Sequence, residues 1–426
     1  MRTISLFGAI SIGIGGMVGG GIFAVLGEAV SLSHGATAVS FFIAGLVAIL
    51  SAYAYAKLSV AYQSEGGTVT FIDKAFGDNI LSGSINLMLW LSYLVTISLY
   101  ATAFSSYAAT FFEHKTPLLE HILITSAIIV PAIINILSTS FVEKSELFIV
   151  FIKVSLLIFI IVVATPYIDT SRLAVQNWDS PISIISAGMI IFVAYEGFEL
   201  IANSANDIKE PTKNLPRAFY SSVLIVILLY VLISLVTVGN VSEKELIVAK
   251  DYALAIAAKP SLGDTGFVIV ALAAMLSTFS AINATIYGNA RLGYIIAKDG
   301  KLPSSLMYKR REIPFMGVIY TTVFSLILAN SIDLSQIAII GSAGFLLIFF
   351  IVNLSAYKLK EQINASKYIL MISILFSFFA LVILLFHTYE SNPKAIMIFL
   401  SFIIISLVFE LIYGRYVRGH FFGRRY

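Results

Sequence analysis

Twelve stretches of the chain are apolar over about 20 residues or more, and short polar segments separate them. A helix of that length crosses the roughly 30 Å hydrocarbon layer of a membrane. The pattern therefore predicts twelve transmembrane helices and no separate soluble domain. The predicted spans cover residues of about 5–30, 36–60, 80–112, 119–140, 146–166, 182–206, 218–239, 265–297, 314–332, 335–357, 367–387 and 394–414.

The first apolar stretch contains a glycine run where a membrane helix should be most regular. Gly13–Phe23 reads GIGGMVGGGIF and includes six glycines. Each glycine costs about 0.8–1 kcal/mol relative to alanine in a helix, so together they disfavour the helix by about 5 kcal/mol. Lipid cannot hydrogen-bond the freed backbone groups, so an interruption is tolerated only against protein or a watery cavity. The run therefore predicts a broken helix and a binding site.

The sixth apolar stretch contains a second interruption, because Phe192–Phe198 reads FVAYEGF and includes a carboxylate and a glycine. Spans one and six are five apart and so cross the membrane in opposite directions. This relation is expected of inverted repeats, although no sequence identity between the halves is visible. The predicted division is repeat one at about 5–166, repeat two at about 182–357, peripheral helices at about 367–414 and a basic tail at 415–426.

Composition supports a multi-pass membrane protein independently of the pattern. Hydrophobic residues make up 59% of the chain, charged residues 12%, and the mean hydropathy is +0.94. These values exclude an ordinary soluble domain. The chain contains no cysteine, which excludes disulfide bonds and metal binding by thiolates.

The basic residues predict the orientation of the chain in the membrane. With both termini in the cytoplasm, 20 of the 27 Lys and Arg residues lie in inside segments and six in outside segments, while Lys153 lies within a span. This bias is typical of a protein of the cell (plasma) membrane with cytoplasmic termini. The net charge of +3 requires no nucleic-acid partner, and the basic tail is expected to set topology beside anionic lipid.

Four motifs in the order and spacing of one family follow along residues 1–310. They are MVGGGIF at Met17–Phe23, the segment Tyr55–Gly77 with its paired glycines, the segment Phe192–Ala218, and the segment Asn283–Pro303. Together they resemble the amino acid, polyamine and organocation transporter superfamily. The resemblance implies an all-α, LeuT-like fold of ten core helices in a five-plus-five inverted repeat with broken helices one and six, plus two peripheral helices.

The first break offers a site for an anionic group. Where a helix restarts, its first N–H groups lack partners and carry about half a positive charge. Gly19, Gly20, Gly21 and Ile22 would provide these donors to a substrate carboxylate. The alternative is that the glycines serve close helix packing, because Gly15 and Gly19 also have the small-xxx-small spacing.

The second break places an ionisable group within hydrocarbon depth. Glu196 could bind a substrate amine beside the carbonyls around Gly197, carry a proton, or be a structural carboxylate. Glu199 is nearer the cytoplasmic end and is expected to have a structural or gating role. Phe192 and Tyr195 could cover the substrate, or they could be ordinary packing residues of the helix.

Lys153 is a charge within the fifth span. Its four-carbon stem could extend to the membrane interface, which would make it structural. If the amine instead points into the bundle, a change in water access could load and release a proton there. The segment IVFIKVSLL around Lys153 resembles sodium-independent prokaryotic transporters of the ApcT type, in which a fifth-helix lysine takes the place of a bound cation.

The eighth span has a small or polar stripe that could face Lys153. Gly15, through its carbonyl, and Ser280 are the candidates to receive the ammonium group. The alternative is that the hydroxyls, including Thr278, bond their own helix. Asn283 is a further candidate for a substrate or helix contact. The stripe consists of Ser277, Ser280, Ala284, Tyr287 and Arg291.

Other chemistry has little support in the sequence. The five histidines are scattered, no phosphate-binding loop is present, and no nucleophile or acid–base cluster is visible, so no metal, cofactor or enzyme activity is expected. The predicted function is secondary active transport of amino acids or related amines, driven by protons and working by alternating access. An exchanger without net proton coupling and a non-cycling amino-acid sensor remain alternatives.

Overall fold

The computed structural model describes residues 2–137, 139–310, 312–418, 420–421 and 424–425. The predicted basic tail therefore lies partly outside the described residues. In the first part of the chain, the described residues form seven α-helices. These are α1 Leu6–Met17, α2 Gly21–Ser33, α3 Thr37–Ala61, α4 Thr68–Phe76, α5 Ile80–Ala108, α6 Pro117–Leu137 and α7 Thr139–Ala164.

The described residues after α7 contribute ten further α-helices, together with short 3₁₀ segments, a π-helical turn at Gly414–Arg418 and a two-stranded ladder of two residues per strand near the end. The helices are α8 Pro181–Ile190, α9 Leu200–Asn203, α10 Pro211–Asn240, α11 Glu243–Val248, α12 Ala253–Ala257, α13 Lys259–Lys298, α14 Phe315–Ser331, α15 Leu334–Lys358, α16 Lys367–Ser391 and α17 Pro393–Tyr413. The strands are His420–Phe421 and Arg424–Arg425.

Among the described residues, ten helical stretches are long and apolar enough to cross a membrane, or eleven when the bent pair α1 and α2 counts as one span. The apolar helix α14, at 17 residues, lies where the ninth span is predicted. The protein is therefore an all-α, multi-pass membrane protein. The count of twelve spans and the five-plus-five repeat stay predictions. The short helices α4, α11 and α12 lie between spans and were not predicted, because each is too short to show a clear apolar period.

Burial separates central helices from peripheral ones. In α5, 89% of the most apolar window is buried inside the protein, whereas in α17 the share is 22% and in α16 it is 28%. Because other helices cover α5 on nearly all sides, this helix has little contact with lipid and lies at the centre of the bundle. The last two helices, α16 and α17, lie at the edge.

Both predicted interruptions lie where the sequence places them. The helices α1 and α2 meet at an angle of 47° across residues 18–20. In the sixth span, α8 continues as a 3₁₀ segment, Ile191–Tyr195, and the chain then leaves helical geometry until α9 begins. Gly197 has a φ of +119°, which side chains with a Cβ rarely adopt.

Two isolated β-bridges join the first span to the sixth span. One connects the segment before α1 to the segment after α9, and the other connects the end of α2 to the segment before α8. Before α1, the Ile4 N–H donates to the Asp207 carbonyl and the Lys209 N–H donates to the Ile4 carbonyl, each over 2.9 Å. After α2, His34 forms an antiparallel bridge with Trp178. The first and sixth spans are therefore held together by backbone contacts at both ends.

Candidate functional site

The two breaks lie against each other in the middle of the protein. A Cβ atom on Gly16 would lie 2.6 Å from the Gly197 carbonyl oxygen, and one on Gly21 would lie 2.6 Å from the Ala194 Cα. Real Cβ atoms do not approach other atoms this closely, so both contacts require glycine. Part of the glycine run therefore serves close packing between the first and sixth spans.

The first break keeps its backbone groups away from lipid. Residues from Met17 to Val30 are all buried, and Gly20 is the N-cap of α2, so the N–H groups of Gly21 and Ile22 belong to the first turn. Such first-turn N–H groups have no acceptor within their own helix. Next to them, a Cβ on Gly19 would meet the Ala281 Cβ at 3.0 Å. The predicted donors thus lie together at one buried helix end.

A serine of α13 satisfies the carbonyl side of the first break. The Ser277 hydroxyl donates to the Gly19 carbonyl and lies 3.2 Å from the Val18 carbonyl. By contrast, Thr278 donates to the Ala274 carbonyl of its own helix over 2.8 Å. Of the hydroxyls considered on this helix, Ser277 therefore reaches the first span, whereas Thr278 bonds its own helix as the alternative expected.

A tyrosine of α10 connects the two breaks. The Tyr230 hydroxyl lies 2.6 Å from the Met17 carbonyl oxygen and 3.1 Å from the Ala194 carbonyl oxygen. Its side chain is fully buried. This residue was not predicted from the sequence, because one tyrosine in an apolar helix resembles ordinary packing. Its signal is the hydroxyl itself, since a buried tyrosine hydroxyl usually finds a hydrogen-bond partner.

The two acids of the second break are bonded to tyrosines of α5. The Tyr100 hydroxyl donates to Glu196 over 3.3 Å, and the Tyr93 hydroxyl donates to Glu199 over 2.9 Å. Glu199 also accepts the Gly197 N–H over 2.8 Å, so it stabilises the irregular backbone. Both carboxyl groups are buried and neighbour each other. Sequence analysis predicted the acids but not the tyrosines that hold them.

Tyr100 also brings the two breaks into one site. A Cβ on Gly20 would overlap its ring, and one on Gly19 would lie 3.5 Å from its hydroxyl oxygen. The same hydroxyl bonds Glu196. Tyr100 therefore contacts both the first break and the carboxyl group of the sixth span.

The other predicted residues of the sixth span lie in aromatic and backbone contacts. The Phe192 ring lies 5.7 Å from the Phe349 ring, edge to face. The Tyr195 hydroxyl donates to the Phe41 carbonyl over 2.8 Å, and its ring lies 5.2 Å from that of Tyr230. Both side chains are fully buried, so in this structure they take part in packing.

A serine of α15 supports the 3₁₀ segment before the second break. The Val193 N–H donates to the Ser342 hydroxyl over 2.9 Å, and that hydroxyl donates to the Ile190 carbonyl over 2.5 Å. The hydroxyl therefore contacts both backbone groups at the point where the α-helix tightens into 3₁₀ geometry. This serine was not predicted from the sequence, because its partners are about 150 residues away along the chain.

Lys153 lies inside the protein. Its side chain is 2% exposed, and its Nζ donates to the Gly15 carbonyl oxygen over 3.1 Å. The amine therefore meets the first span instead of extending to the membrane interface. Ser280 is buried on α13 beside Ala281, which packs against the first break.

The remaining candidates of α13 make contacts between helices. The Asn135 side-chain amide of α6 donates to the Asn283 side-chain oxygen over 2.8 Å and lies 3.1 Å from its carbonyl oxygen. Arg291 pairs with Glu65 over 3.4 Å and bonds the Tyr287 hydroxyl over 3.1 Å. Of the two roles considered for Asn283, a helix contact is the one seen in this structure.

Ion pairs flank the site on both sides of the helix bundle. Toward the end of α13, buried Lys301 lies 2.5 Å from Asp73 of α4, which also accepts from the Asn86 amide over 3.0 Å. Burial raises the pKa of Asp73, and Lys301 offsets part of that rise. On the opposite side, Glu28 of α2 pairs with Lys250.

Two broken helices that meet at a buried site, with polar groups from α5, α10 and α13, define the transporter class of membrane protein. The family model of amino acid permeases matches residues 4–409. The chain therefore belongs to the amino acid permease family. It is a transporter and not an enzyme.

Three curated relatives show the range of this family. The chain is 32% identical to the inner membrane transport protein YbaT of Escherichia coli over 97% of both chains. It is 27% identical to the methylthioribose transporter of Bacillus subtilis, over 98% of this chain and 94% of that one. It is also 24% identical to the branched-chain amino acid permease BcaP of Bacillus subtilis, over 85% and 81%.

Proposed function

We propose that this protein is a secondary active transporter of amino acids or related amines, coupled to protons and working by alternating access. The observation that carries the proposal is the contact between Gly16 and Gly197. It supports a site that combines the first-turn N–H groups of one broken helix with the buried carboxyl groups of the other. Paired breaks of this kind form the usual substrate site of secondary transporters.

The substrate would lie across the two breaks. Its carboxylate would accept hydrogen bonds from the backbone at Gly19–Ile22, where the dipole of α2 favours negative charge. Its amine would meet the carbonyls around Gly197 and the Glu196 carboxyl. Tyr100 supports this arrangement, because it contacts both breaks.

The driving proton would be carried by Lys153. A charged ammonium group binds a carbonyl oxygen more strongly than a neutral amine does. Gain or loss of the proton would therefore change the strength of the hydrogen bond from Lys153 to the Gly15 carbonyl. Gly15 is next to Gly16, which contacts the second break. Ser280 is proposed as a second acceptor. In this scheme one broken helix contacts both the substrate and the driving ion.

The side of the protein that carries Lys301 is proposed to face the cytoplasm, and both termini are proposed to lie on that side. The side that carries His34 is proposed to face outward. The distribution of basic residues supports this orientation in a cell membrane. The partners of the protein would then be an amino acid, protons and the lipid bilayer.

Uptake of radiolabelled amino acids into proteoliposomes tests coupling. Without sodium, an inward proton gradient is expected to drive accumulation above equilibrium in wild type and in Lys244→Ala, an exposed control lysine. Lys153→Ala is expected to lose the gradient-driven part and to keep counterflow exchange. Equal gradient-driven uptake in Lys153→Ala would remove this lysine from the mechanism. Exchange without accumulation in wild type would identify an exchanger, and binding without exchange would identify a sensor.

A graded panel of competitors tests the two ends of the substrate site. Amino acids are expected to compete, whereas analogues that lack the carboxylate or the amine are expected to compete at least tenfold less well, since each lost charged contact is worth about 1.5–3 kcal/mol. Methylthioribose, the substrate named for one relative, belongs in the panel as a compound without either group. If Glu196→Gln leaves the preference for amines unchanged, Glu196 does not bind the amine.

A further inference from the structure

Four lysines surround the turn that connects α15 to α16. One of them reaches the turn from α3, because the Lys57 Nζ donates to the Asn364 carbonyl over 2.8 Å. The other three lie in the turn or at its two ends. This lysine surface consists of Lys57, Lys358, Lys360 and Lys367.

The lysine surface lies on the Lys301 side of the helix bundle. The Lys358 Nζ lies 5.0 Å from the centre of the Phe76 ring, which belongs to α4. The same helix carries Asp73, the partner of Lys301. The distribution of basic residues predicts that this side faces the cytoplasm, where the membrane leaflet carries anionic lipids.

The positive charge of this surface is not balanced by acids. Among the residues that the structure describes, none of the four lysines forms an ion pair with a carboxylate, whereas Lys213, Lys259 and Lys309 each do. The turn itself contains a single acid, Glu361. Four positive charges and one negative charge leave a net charge of +3, so the surface attracts anions.

Aromatic rings place the ammonium groups at the depth of lipid headgroups. The Lys360 Nζ lies 4.9 Å from the centre of the Tyr357 ring, and the Lys367 Nζ lies 5.1 Å from that of Tyr368. Such a position is attractive for a cation. Tyrosines concentrate where a membrane meets water, so these lysines lie at the membrane surface.

The helix that follows the turn has one side bonded to the protein and the other exposed. The Ser373 hydroxyl donates to the Leu50 carbonyl of α3 over 3.0 Å, and the Asn353 amide of α15 donates to Ser377 over 3.2 Å. The opposite side of α16 exposes an apolar stripe at helical spacing. The stripe extends about 22 Å beyond Lys367, more than half of the roughly 30 Å hydrocarbon layer. It consists of Met371, Leu375, Phe379 and Val382.

We propose that the lysine surface binds the headgroup of an anionic phospholipid, whose acyl chain lies along the exposed stripe of α16. The phosphate accepts hydrogen bonds from Lys57 and Lys367 and thereby joins α3 to α16. The partner is a lipid and not a free phosphate ion, because the apolar stripe continues directly from the lysines into the hydrocarbon layer. The site is independent of the substrate that the protein transports.

Titration of the full chain in detergent with phosphatidylglycerol tests the site. Native mass spectrometry measures the bound lipid, and thermal unfolding measures its effect on stability. Wild type is expected to bind the lipid saturably and to melt at a higher temperature when it is bound. Lys57→Gln combined with Lys367→Gln is expected to weaken binding about 25-fold, about fivefold for each lysine. Lys298→Gln combined with Lys309→Gln, the matched control on the same side of the bundle, should bind as wild type does.

The conservative pair Lys57→Arg and Lys367→Arg separates charge from packing. It keeps both charges and is expected to bind the lipid as wild type does, and a loss equal to that of the glutamine pair would contradict the proposal. Should the glutamine pair fail to fold, Lys367→Gln alone changes one exposed residue and is expected to bind about fivefold less well. Unchanged affinity in that variant would overturn the proposal.

Two further ligands test the identity of the partner. Phosphatidylcholine, which has no net charge, is expected to bind at least tenfold less well than phosphatidylglycerol. Inorganic phosphate is expected neither to displace the lipid nor to raise the melting temperature. Equal binding of the two lipids would show that charge does not select the partner. Displacement by inorganic phosphate would identify a site for the free ion. Either result would overturn the proposal, as would equal losses of binding in the glutamine pair and its control.

Discussion

Gly197 is the residue on which the contact between the two breaks depends most. Its φ of +119° and the adjoining backbone of Gly16 leave no room for a Cβ atom. The conformation and the close approach are separate requirements, and glycine alone satisfies both. Where such a residue occurs between two polar helix ends, its backbone is as important to the site as any side chain.

Gly197→Ala is expected to destabilise the protein and to abolish transport. The backbone conformation alone costs about 1–3 kcal/mol for alanine, and the overlap with Gly16 adds to this. Gly288→Ala on α13 is the matched control, because a Cβ there meets nothing within 4 Å and alanine favours a helix. Thermal unfolding of the purified proteins measures the difference. Similar melting temperatures for the two variants would contradict this account of Gly197.

Tyr230→Phe is expected to weaken substrate binding more than it slows the transport cycle. The change leaves the Met17 and Ala194 carbonyls without this donor, at a cost of about 1–3 kcal/mol in a buried site, while the ring stays in place. The KM for uptake should rise and the maximal rate should change less. Tyr220→Phe, on the same helix, serves as the control. An unchanged KM in Tyr230→Phe would show that the hydroxyl does not hold the breaks in position.

At the scale of elements, α4 is tied to the segment after α13 by a buried ion pair. The Lys301 side chain is only 3% exposed. The Asp73 carboxylate accepts hydrogen bonds from the Lys301 ammonium group and from the Asn86 side-chain amide. Removal of one partner from a buried pair leaves the other charge uncompensated. The resulting loss of stability is larger than the net stabilisation that the pair provides. The contact therefore holds the end of α13 against α4 and α5.

The stability of the protein is expected to fall as pH rises through the pKa of Asp73. Because burial raises that pKa in the folded state, the folded protein has to lose a proton that the unfolded chain has already lost. Melting temperature measured from about pH 4 to 7 should show this fall in wild type and in Asp264→Asn, an exposed control. Asp73→Asn should lack it. The same slope in Asp73→Asn would assign the pH dependence to another group.

At the scale of the whole molecule, the helix bundle has two charged faces and an apolar surface between them. The Lys301 side and the His34 side each carry ion pairs, and the helices at the edge expose apolar side chains between them. The arrangement suits a protein that crosses a membrane and meets water at both faces.

The absence of cysteine allows a direct test of orientation. A single cysteine in place of Lys244 is expected to react with a membrane-impermeant maleimide in intact cells. One in place of Glu312 should react only after permeabilisation, because the distribution of basic residues predicts that this segment faces the cytoplasm. The two variants are controls for each other. The reverse pattern would invert the proposed topology.

The sequence by itself determined the features that depend on local free energy. Apolar length places the spans, because a helix has to match the hydrocarbon layer, and glycine places the breaks, because its cost in a helix is local. A lone charge such as Lys153 or Glu196 also stands out in an apolar stretch, since it is expensive there whatever its partner.

Only the tertiary structure decided which groups meet. Tyr230 and Met17 are 213 residues apart in the chain, and Tyr100 and Glu196 are 96 apart. Tyr230 has no local signature for its hydroxyl partners, because they are backbone carbonyls, which every residue has. The fold supplies the pairing by bringing two irregular segments together, where their unsatisfied groups need partners from α5, α10 and α13.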